Sequence, residues 1–342
     1  GRLKAFTKPQ AGDVYMICVP TPFYEGEGIP QPNIHYVLTA AESIAALVKP
    51  ADLIILESTS PVGTTEKMQN VLRDAGVDVD EVYIAYCPER VLPGRIMYEL
   101  VENDRVIGGM TSMCSAKCIK LYSVFVNGLC VQTDSRTAEM AKLTENSFRD
   151  VNIAFANELS ILCDKFKINV WQLIQLANRH PRVNILQPGT GVGGHCIAVD
   201  PWFIVHAGGE TARLIKSARE INDFKTQWVI EHILRQATLF KRKHDRQPTI
   251  ACMGLSFKPN IDDLRESPAL EVYLSLVNAG LQTLAIEPNL KSHKNIVLTK
   301  IATAAKSADI FVFLVAHSVF ETLEVLGQEL DFCGVRNRKV SL

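Results

Sequence analysis

The sequence predicts an α/β protein with two parallel-sheet domains joined by a long central helix and a helical region. Three observations lead to this fold class. Apolar strand-like runs alternate with helical segments up to residue 133, residues 134–165 contain neither glycine nor proline, and a second alternation follows residue 248. Such alternation is typical of parallel sheets covered on both faces. We therefore expect three domains, at residues 1–133, 134–240 and 241–342.

The first domain contains short apolar segments that each end in a turn signal. DVYMICVP (13–20) predicts a buried strand ending at Pro20, and residues 33–50 have helical periodicity up to Pro50. Residues 52–64 and 81–91 predict the next two strands. RVIGG, a helix carrying Cys and Lys, and LCVQT then complete a mostly parallel sheet.

The middle of the chain predicts helices. Apolar residues recur with helical period over 134–165, a length of roughly 45 Å at 1.5 Å per residue. Helical patterns continue to about residue 240, and KRKHDRQP (241–248) predicts a solvated linker. TIACMGLSF, LEVYLSLVNAG, LQTLAIEP and ADIFVFLVA then indicate strand, helix, strand and strand.

Composition and charge favour a globular protein that acts on a small molecule. The chain of 342 residues has 36 Lys plus Arg against 37 Asp plus Glu, so its charge indicates neither a nucleic acid nor a membrane partner. The longest apolar run, 310–316, is too short to span a bilayer, and we expect a cytoplasmic protein.

Nine cysteines are an odd number and do not resemble a disulfide framework. We expect eight of them to be buried free thiols, with Cys196 as the exception. Cys114 and Cys118 lie one helical turn apart, but no second Cys or His pair follows at zinc spacing, so we predict no metal.

The segment GTGVGGHCIAVDP (189–201) contains glycines in the pattern G-x-G-x-x-G. The dinucleotide fingerprint needs a strand before it and a helix after it. Here prolines precede the glycines, and Pro201 is expected to stop any helix. We therefore favour glycines that let the backbone approach a ligand closely, with Cys196 as a nucleophile; an empty structural turn and a packing cysteine are the alternatives.

Three stretches carry a resemblance to a known family. AEMAKLTENSFRDVNIAFANELS, GVGGHCIAVDPWF and GLSFKPNIDDLRESPA together resemble the UDP-sugar/GDP-sugar 6-dehydrogenases, over about residues 13–320. The resemblance implies two Rossmann-like domains, an NAD-binding one at 1–133 and a UDP-sugar-binding one at 241–342, with a dimerisation and catalytic region between them. It also implies four-electron oxidation of a sugar C6 alcohol to a carboxylate by NAD.

The same resemblance implies a role for each candidate catalytic residue. Cys196 matches the nucleophile that traps the aldehyde as a thiohemiacetal, which a second oxidation converts to a thioester. Asp200 and Glu89 match carboxylates that serve proton transfer and the hydrolytic water; Glu89 as a strand-end surface charge is the alternative. Lys142 and Asn146 lie four apart on one helix face and match groups that meet the reacting oxygen. A solvated helix face is the alternative for Lys142.

Further residues match ligand contacts of the family. CVPTP (18–22) and ESTSPVGT (57–64) resemble loops over the cofactor, at the carboxyl ends of strands. The implied cofactor residues are Val19, Pro20, Thr21, Ser58, Thr59, Glu89 and Arg265. The implied substrate residues are Arg182, Asn184, Leu186, Gly191, Gly193, His195 and Lys258.

Three of these residues have a further expected role or a competing interpretation. Arg182 is expected to reach the active site of a partner subunit in a homodimer. Lys258 and Arg265 match a pair of cations at the nucleotide-sugar site. The alternative is a surface ion pair with Asp262 or Asp263.

NRHPRVNILQPG and HCIAVDPWF, with His195 and Val199, are closest to family members that act on UDP-N-acetyl-D-mannosamine. We therefore expect this substrate and a role in bacterial surface polysaccharide precursor synthesis. UDP-N-acetylglucosamine and UDP-glucose are the alternatives.

One departure concerns the start of the chain. The family's strand, G-x-G-x-x-G turn and helix that hold the NAD pyrophosphate are not found before Asp13. The first domain is therefore expected to be incomplete, and the chain to bind NAD weakly and have little dehydrogenase activity. A non-catalytic, dimerising fragment that still binds UDP-sugar is the alternative from another functional class.

Overall fold

The computed structural model describes residues 3–24, 26, 28–91 and 95–336. The chain divides into two compact units. The first unit comprises Gly1–Asn146 with Trp202–Ala212, and the second comprises Ser147–Pro201 with Arg213–Leu342. Among the described residues, no helix combines the length and the apolarity needed to cross a membrane.

The first unit contains a five-stranded sheet in the order β1-β2-β3-β4-β5. Every neighbouring pair is parallel except β3 and β4. The strands are β1 (Val14–Ile17), β2 (Leu53–Leu56), β3 (Tyr83–Tyr86), β4 (Arg105–Gly109) and β5 (Cys130–Asp134). The helices are α1 (His35–Ala45), α2 (Thr64–Asp74), α3 (Ile96–Glu102) and α4 (Ser112–Tyr122). The prediction of a mostly parallel sheet is confirmed.

The central strand β2 explains why this sheet forms where it does. All four of its residues, LIIL, are buried, and successive side chains point to opposite faces. Ile54 and Leu56 belong to one apolar cluster, and Leu53 and Ile55 belong to another. A continuous apolar run is therefore required, because both faces of the strand are covered.

The edge strands differ from the sequence predictions. The sequence predicts a buried strand at 13–20, but Val14 and Met16 of β1 are exposed on one face of this strand, which lies at an edge of the described sheet. Cys18, just after β1, is exposed, and Cys130, on the opposite edge strand, is half-buried. The expectation of eight buried thiols is therefore wrong for these two cysteines.

The second unit contains a four-stranded parallel sheet in the order β7-β6-β8-β9. The strands are β6 (Thr249–Met253), β7 (Gln282–Ile286), β8 (Ile310–Phe313) and β9 (Gln328–Asp331). The helices that follow β6 and β7 are α9 (Pro268–Asn278) and α10 (Ile301–Ser307). The mixed α/β fold class is confirmed, although the polar strand β9 was not predicted from its sequence.

Four further helices are α5 (Ser135–Phe166), α6 (Val170–Ala177), α7 (Asp200–Gly208) and α8 (Arg213–His244). The predicted helix at 134–165 is confirmed almost residue for residue. The predicted linker at 241–248 is wrong in its first half, because α8 continues through His244. Its last turn contains four basic residues, which suit the negative end of a helix dipole.

The prediction that Pro201 stops any helix is also wrong. Pro201 is the second residue of α7, which begins at Asp200. A proline is well tolerated in the first turn of a helix, since the N–H that it lacks has no intrahelical partner there. The cysteine loop therefore leads directly into a helix.

A buried polar network joins α5 to α8 within the second unit. Arg219 Nη1 donates to Asp150 Oδ1 at 2.7 Å, and Arg219 also pairs with Asp223. Asn222 Nδ2 donates to Asp150 Oδ1 at 2.8 Å, and Asn222 Oδ1 accepts from Asn157 Nδ2 at 2.9 Å. Burial raises the pKa of the Asp150 carboxyl, and Arg219 opposes that rise. The two helices are thus held by an ion pair that is removed from water.

We expect the substitution Arg219→Met to destabilise the protein by about 3–5 kcal/mol, because it leaves the Asp150 carboxylate buried without its cation. Urea unfolding followed by circular dichroism measures the change. Lys216→Met is the matched control on the same helix, since Lys216 and Glu220 are an exposed pair at 3.9 Å and should contribute about 0–1 kcal/mol. Equal losses in the two variants would contradict a structural role for the buried pair.

Candidate active site

The glycine loop of the second unit packs closely against neighbouring backbone. Gly194 has a φ of +83°, a conformation that glycine adopts readily, and its N–H donates to the Glu266 carbonyl at 3.3 Å. A Cβ atom on Gly193 would meet that same carbonyl oxygen and stand 2.6 Å from Pro268 Cδ. The glycines therefore allow a close backbone approach, as the sequence suggested.

Cys196 follows this loop and is exposed. Its carbonyl oxygen accepts hydrogen bonds from Val199 N at 3.0 Å and from Asp200 N at 2.8 Å. This turn leads into α7, whose first residue is the buried Asp200. The Cys196 thiol is thus solvent-accessible at the start of a helix, while these two N–H groups are used by its own carbonyl oxygen.

A second loop, at residues 254–266, follows β6 and carries Lys258 and Arg265. Arg265 Nη2 donates to Asp263 Oδ2 at 2.6 Å, and Arg265 Nε lies 3.0 Å from both Asp263 oxygens. The surface ion pair that the sequence offered as the alternative for Arg265 is therefore formed with Asp263. Lys258 is partly buried, and its carbonyl accepts from Ser256 Oγ at 2.8 Å.

Electrostatics link this loop to the cysteine loop. The pKa of Arg265 is raised chiefly by its hydrogen bond to Asp263, and Cys196 contributes a weaker charge interaction. The pKa of Asp263 is lowered chiefly by Arg265, with a weak contribution from His195. The structure therefore brings His195, Cys196 and Arg265 into one region.

The carboxyl edge of the second sheet forms a cavity of about 120 Å³. It lies where β6 and β8, which are neighbours in the sheet but not in the chain, both end. The cavity is lined by the glycine loop at Gly189–Gly191, by Ser256 and Phe257 after β6, and by Leu314–Ala316 after β8. Ligands of open parallel sheets bind at such a switch point in the strand order.

A buried network fixes the loop after β6. The N–H of Asn260 donates to His317 Nδ1 at 2.9 Å, and His317 Nε2 lies 3.1 Å from Glu287 Oε2. The same carboxylate oxygen accepts from Leu255 N at 2.8 Å and Ser256 N at 3.0 Å. Sequence reasoning missed Glu287 and His317, although each follows an apolar strand segment.

Polar side chains of α5 and α8 also position the glycine loop through hydrogen bonds. The Gly189 N–H donates to Asn157 Oδ1 at 2.9 Å, and Thr190 Oγ1 donates to the Leu314 carbonyl at 2.7 Å. Thr226 Oγ1 donates to the Thr190 carbonyl at 3.2 Å. Asn157 and Thr226 were not predicted, because an Asn or a Thr on a helix carries no signal of such a role.

The segment before the glycine loop is held by one side chain. Asn178 donates to the Ile185 carbonyl at 3.0 Å and accepts from Ile185 N at 2.7 Å. Arg182 and Asn184 are exposed within this segment, and Leu186 is partly buried. The two exposed polar side chains are therefore accessible to a ligand or a partner.

In the first unit, two predicted loops meet at the carboxyl edge of the sheet, after β1 and β2. Ser58 Oγ accepts from Val19 N at 2.8 Å and donates to the Val19 carbonyl at 2.7 Å. Thr21 Oγ1 donates to the Thr59 carbonyl at 2.7 Å, and Pro20 lies exposed between these contacts. The edge fits one end of a dinucleotide in a ligand crevice of this type.

Buried Glu139 connects the second of these loops to α5. Its carboxylate accepts from Gly63 N at 2.5 Å, Thr65 N at 2.8 Å and Thr65 Oγ1 at 2.7 Å. Burial raises the pKa of this carboxyl against those hydrogen bonds. Glu139 precedes Lys142 by less than one turn, so it fixes the loop relative to the helix that carries Lys142.

Lys142 is partly buried and Asn146 is buried, one turn apart on α5. Glu89 follows β3, and its Oε1 accepts from Arg90 N at 2.5 Å and Val91 N at 2.8 Å. Arg105 Nη1 lies 3.9 Å from Glu89 Oε2. Glu89 is therefore a carboxylate held by backbone N–H groups, with 42% of its side chain exposed.

The predicted site residues thus divide between the units. The first unit contains Val19, Pro20, Thr21, Ser58, Thr59, Glu89, Lys142 and Asn146. The second unit contains Arg182, Asn184, Leu186, Gly191, Gly193, His195, Cys196, Asp200, Lys258 and Arg265. Within the described part of the chain, no cluster of three or more His, Cys, Asp or Glu side chains could hold a metal ion.

Three family descriptions match consecutive parts of the chain. They are the NAD binding domain (residues 1–126), the central domain (136–224) and the UDP binding domain (251–332) of the UDP-glucose/GDP-mannose dehydrogenase family. Together they account for most of the sequence.

Individual relatives agree with these matches. A UDP-N-acetyl-D-mannosamine dehydrogenase from Campylobacter jejuni is 53% identical over 351 residues, 97% of this chain and 84% of that protein. An NDP-N-acetyl-D-galactosaminuronic acid dehydrogenase from Ralstonia solanacearum is 53% identical over 338 residues, 95% of this chain and 78% of that protein. The solved structure of a UDP-N-acetyl-mannosamine dehydrogenase from S. aureus matches with a TM-score of 0.87 and 39% identity, covering 100% of this chain and 82% of that one.

We expect Gly193→Ala to destabilise the second unit by about 1–3 kcal/mol, because the added methyl group overpacks against Glu266 and Pro268. Thermal unfolding gives the loss of stability, and site-resolved alkylation read by mass spectrometry should give a changed reaction rate for Cys196. Gly12→Ala is the control, since its nearest atom would be Val14 O at 3.6 Å. A Gly193→Ala variant with wild-type stability and alkylation rate would show that this close approach is unimportant.

Proposed function

The chain belongs to the UDP-glucose/GDP-mannose dehydrogenase family, and we propose that it oxidises the C6 alcohol of UDP-N-acetyl-D-mannosamine to the carboxylate with NAD. The family model has an NAD binding domain and a UDP binding domain, and the Campylobacter jejuni relative is named a UDP-N-acetyl-D-mannosamine dehydrogenase. The observation that carries the chemical part of the proposal is the exposed Cys196 in the turn before α7, at the end of a glycine loop whose residues Gly189–Gly191 line a cavity at the carboxyl edge of a parallel sheet.

Cys196 is the nucleophile in this proposal. Oxidation of the alcohol removes a hydride from C6 and a proton from its oxygen, giving an aldehyde. The Cys196 thiolate adds to the aldehyde carbon, and the oxygen takes up a proton to give a thiohemiacetal. The thiohemiacetal then loses a second hydride and that proton to give a thioester. Water then cleaves the C–S bond, which releases the carboxylate and returns the thiolate. NAD, when bound, accepts one hydride in each oxidation.

The remaining catalytic residues act on protons and charge. Lys142 and Asn146 hydrogen-bond the oxygen on C6, where negative charge develops. Asp200 accepts and returns protons beside Cys196, and Glu89 orients the hydrolytic water. The backbone N–H groups that fix the Glu89 carboxylate support this role, because they hold one of its oxygens in place.

Both ligands have residues to hold them. NAD is held at the carboxyl edge of the first sheet by Val19, Pro20, Thr21, Ser58 and Thr59. Glu89 follows β3, which is the next strand of the same sheet after β2. Lys258 and Arg265 are the cations for the nucleotide sugar, so that Arg265 exchanges part of its contact with Asp263 for the ligand.

The sugar and its surroundings are contacted by the exposed or partly buried residues of the cysteine loop and the segment before it. These residues are Arg182, Asn184, Leu186, Gly191, Gly193 and His195. The absence of a disulfide among the nine cysteines, all of which lie in the described part of the chain, supports a reducing, cytoplasmic location.

The identity of the sugar has one competing assignment. Relatives named for N-acetylmannosamine and for N-acetylgalactosaminuronic acid are both 53% identical to this chain. Initial rates of NADH formation with the UDP derivatives of N-acetylmannosamine, N-acetylgalactosamine, N-acetylglucosamine and glucose test the proposal. The highest kcat/KM should belong to the first. Calorimetric binding of UDP-sugar without any NADH would favour the non-catalytic alternative.

We further propose that the protein acts as a homodimer through α5. Phe148, Phe155 and Leu162 are exposed and spaced seven residues apart, so they form one apolar stripe on this helix. A second copy of the same stripe is a self-complementary partner, since two-fold interfaces use the same patch on both subunits. Arg182, which is exposed, then reaches the active site of the partner.

We expect Cys196→Ser to lower turnover to the carboxylate by about 10³-fold or more while UDP-sugar binding persists, because the alcohol cannot replace the thiolate at neutral pH. NADH formation measures turnover, and calorimetry measures binding. Cys130→Ser, which changes a partly exposed thiol on β5, is the control and should keep wild-type turnover. A Cys196→Ser enzyme with wild-type rates would exclude the nucleophile assignment.

We expect Lys142→Ala to lower kcat by about 10²–10³-fold, the usual effect of losing one preorganised donor to a developing negative charge. Steady-state kinetics separate kcat from KM. Lys165→Ala, at the opposite end of α5, is the matched control. A raised KM with unchanged kcat would instead assign Lys142 to substrate binding.

We expect mixtures of Arg182→Ala and Cys196→Ser subunits to recover activity above that of either variant, because one of the two sites in a mixed dimer is then intact. The measurement is the rate of NADH formation after subunits have exchanged. Adding Phe155→Glu to both chains should abolish the recovery by placing like charges in the interface. Recovery that survives Phe155→Glu would move the interface elsewhere, and no recovery would place Arg182 in its own subunit.

A further inference from the structure

The second unit contains another cavity, of about 310 Å³, that none of the proposed catalytic or ligand-binding residues lines. It lies where the end of α5, the start of α6, the middle of α8 and the end of β9 meet. Trp171, Trp228 and Phe332 provide apolar walls, and Lys225 and His232 provide polar ones.

Lys225 is a buried cation that lines this cavity. The residue is 2% exposed, and its Nζ donates to Ser160 Oγ at 2.8 Å and lies 4.1 Å from the centre of the Trp228 ring. No carboxylate of the described residues lies within 4.0 Å of Nζ. Burial lowers the pKa of Lys225 to about 7, and the more distant Asp164 opposes this.

The hydrogen bonds of this ammonium group are incomplete. An ammonium carries three donors, whereas Ser160 supplies one acceptor. A buried charge with unsatisfied donors is costly unless an opposite charge compensates it. An anion in the cavity would supply both the charge and the acceptors.

The three carboxylates that line the cavity, those of Asp164, Glu329 and Asp331, have contacts of their own and do not pair with Lys225 within 4.0 Å. Glu329 pairs with Arg336 at 2.8 Å, and Asp331 accepts backbone hydrogen bonds from Gly334 and Arg336. Asp164 is half exposed and lies 3.9 Å from His232 Nδ1. Burial lowers the pKa of His232, so this ring is neutral near pH 7. Lys225, whose pKa is lowered to about 7, is therefore the group that offers a positive charge to the cavity when it is protonated.

The aromatic walls define the shape of the ligand. The Trp228 and Phe332 rings meet edge to face, with centres 6.0 Å apart, and the His232 and Phe332 rings do the same at 5.6 Å. Trp171 lines the cavity as well. Flat walls of this kind favour a planar, apolar body.

We propose that this cavity binds a small aromatic carboxylate, with its carboxylate on Lys225 Nζ and its ring against the tryptophans. The proposal does not depend on the function proposed above, because the two sites share no residue. Thr226 faces the glycine loop and its neighbour Lys225 faces this cavity, so α8 contacts both sites from different sides.

Tryptophan fluorescence of the full chain tests the proposal, since two of its three tryptophans line the cavity. The probes are benzoate and benzamide, which have the same ring and differ in charge. Benzoate should change the emission saturably, and benzamide should bind about tenfold or more weakly, because it lacks the charge that Lys225 needs. Equal affinity for the two probes, or no saturable change up to about 10 mM benzoate, would overturn the proposal.

Lys225→Met removes the charge but keeps the length of the side chain, and should weaken benzoate binding by about ten- to a hundredfold. Lys216→Met, an exposed lysine of the same helix, is the control and should bind as wild type does. Unchanged binding by Lys225→Met would refute the assignment of Lys225.

A pH series on the wild type decides the question if Lys225→Met fails to fold. Benzoate stays ionised from about pH 6 to about pH 9, whereas Lys225 loses its proton over this range. The affinity should therefore be highest at low pH and fall about tenfold or more towards pH 9, because the anion binds the protonated amine. A constant affinity over this range would contradict an ammonium–carboxylate contact.

Discussion

The ion pair between Asp150 and Arg219 is the interaction on which the second unit depends, because both charges are removed from water. Asp150 Oδ1 accepts hydrogen bonds from both Arg219 and Asn222, whereas Asp150 Oδ2 and Arg219 Nε are buried without a partner among the described residues. Asn157 Nδ2 donates to Asn222 Oδ1, and the side-chain oxygen of Asn157 accepts from the N–H of Gly189. The hydrogen bonds between α5 and α8 therefore continue into the glycine loop that precedes Cys196. The same network holds the two helices together and positions this loop.

Parallel strands explain where the other polar groups gather. All four strands of the second sheet end at one edge, and Glu287, His317 and the loop at 254–260 meet there through hydrogen bonds. In the first unit, Ser58 and Val19 meet in the same way after β1 and β2. An apolar strand has no polar side chain to offer, so the first residues beyond its carboxyl end carry the chemistry.

Helix α8 illustrates how adjacent residues serve separate purposes. Arg219 and Asn222 bind Asp150 in the buried network, Thr226 contacts the glycine loop, and Lys225 faces an aromatic cavity. Successive residues of a helix point about 100° apart, so neighbours in sequence reach different surroundings. The sequence SAREINDFKTQW therefore contains several roles within little more than three turns.

The sequence by itself determined the alternation of strands and helices, the extent of α5 and the family, because these depend on local periodicity and on contiguous motifs such as GVGGHCIAVDPWF. It did not determine that Pro201 lies in the first turn of α7, that Cys18 is exposed, or that Arg265 pairs with Asp263. Nor did it indicate Asn157, Glu139 or Lys225, whose partners at Gly189, Thr65 and Ser160 lie far away in the chain. The tertiary structure decided these contacts, since a hydrogen bond between distant residues exists only after packing has brought its donor and acceptor together and excluded water.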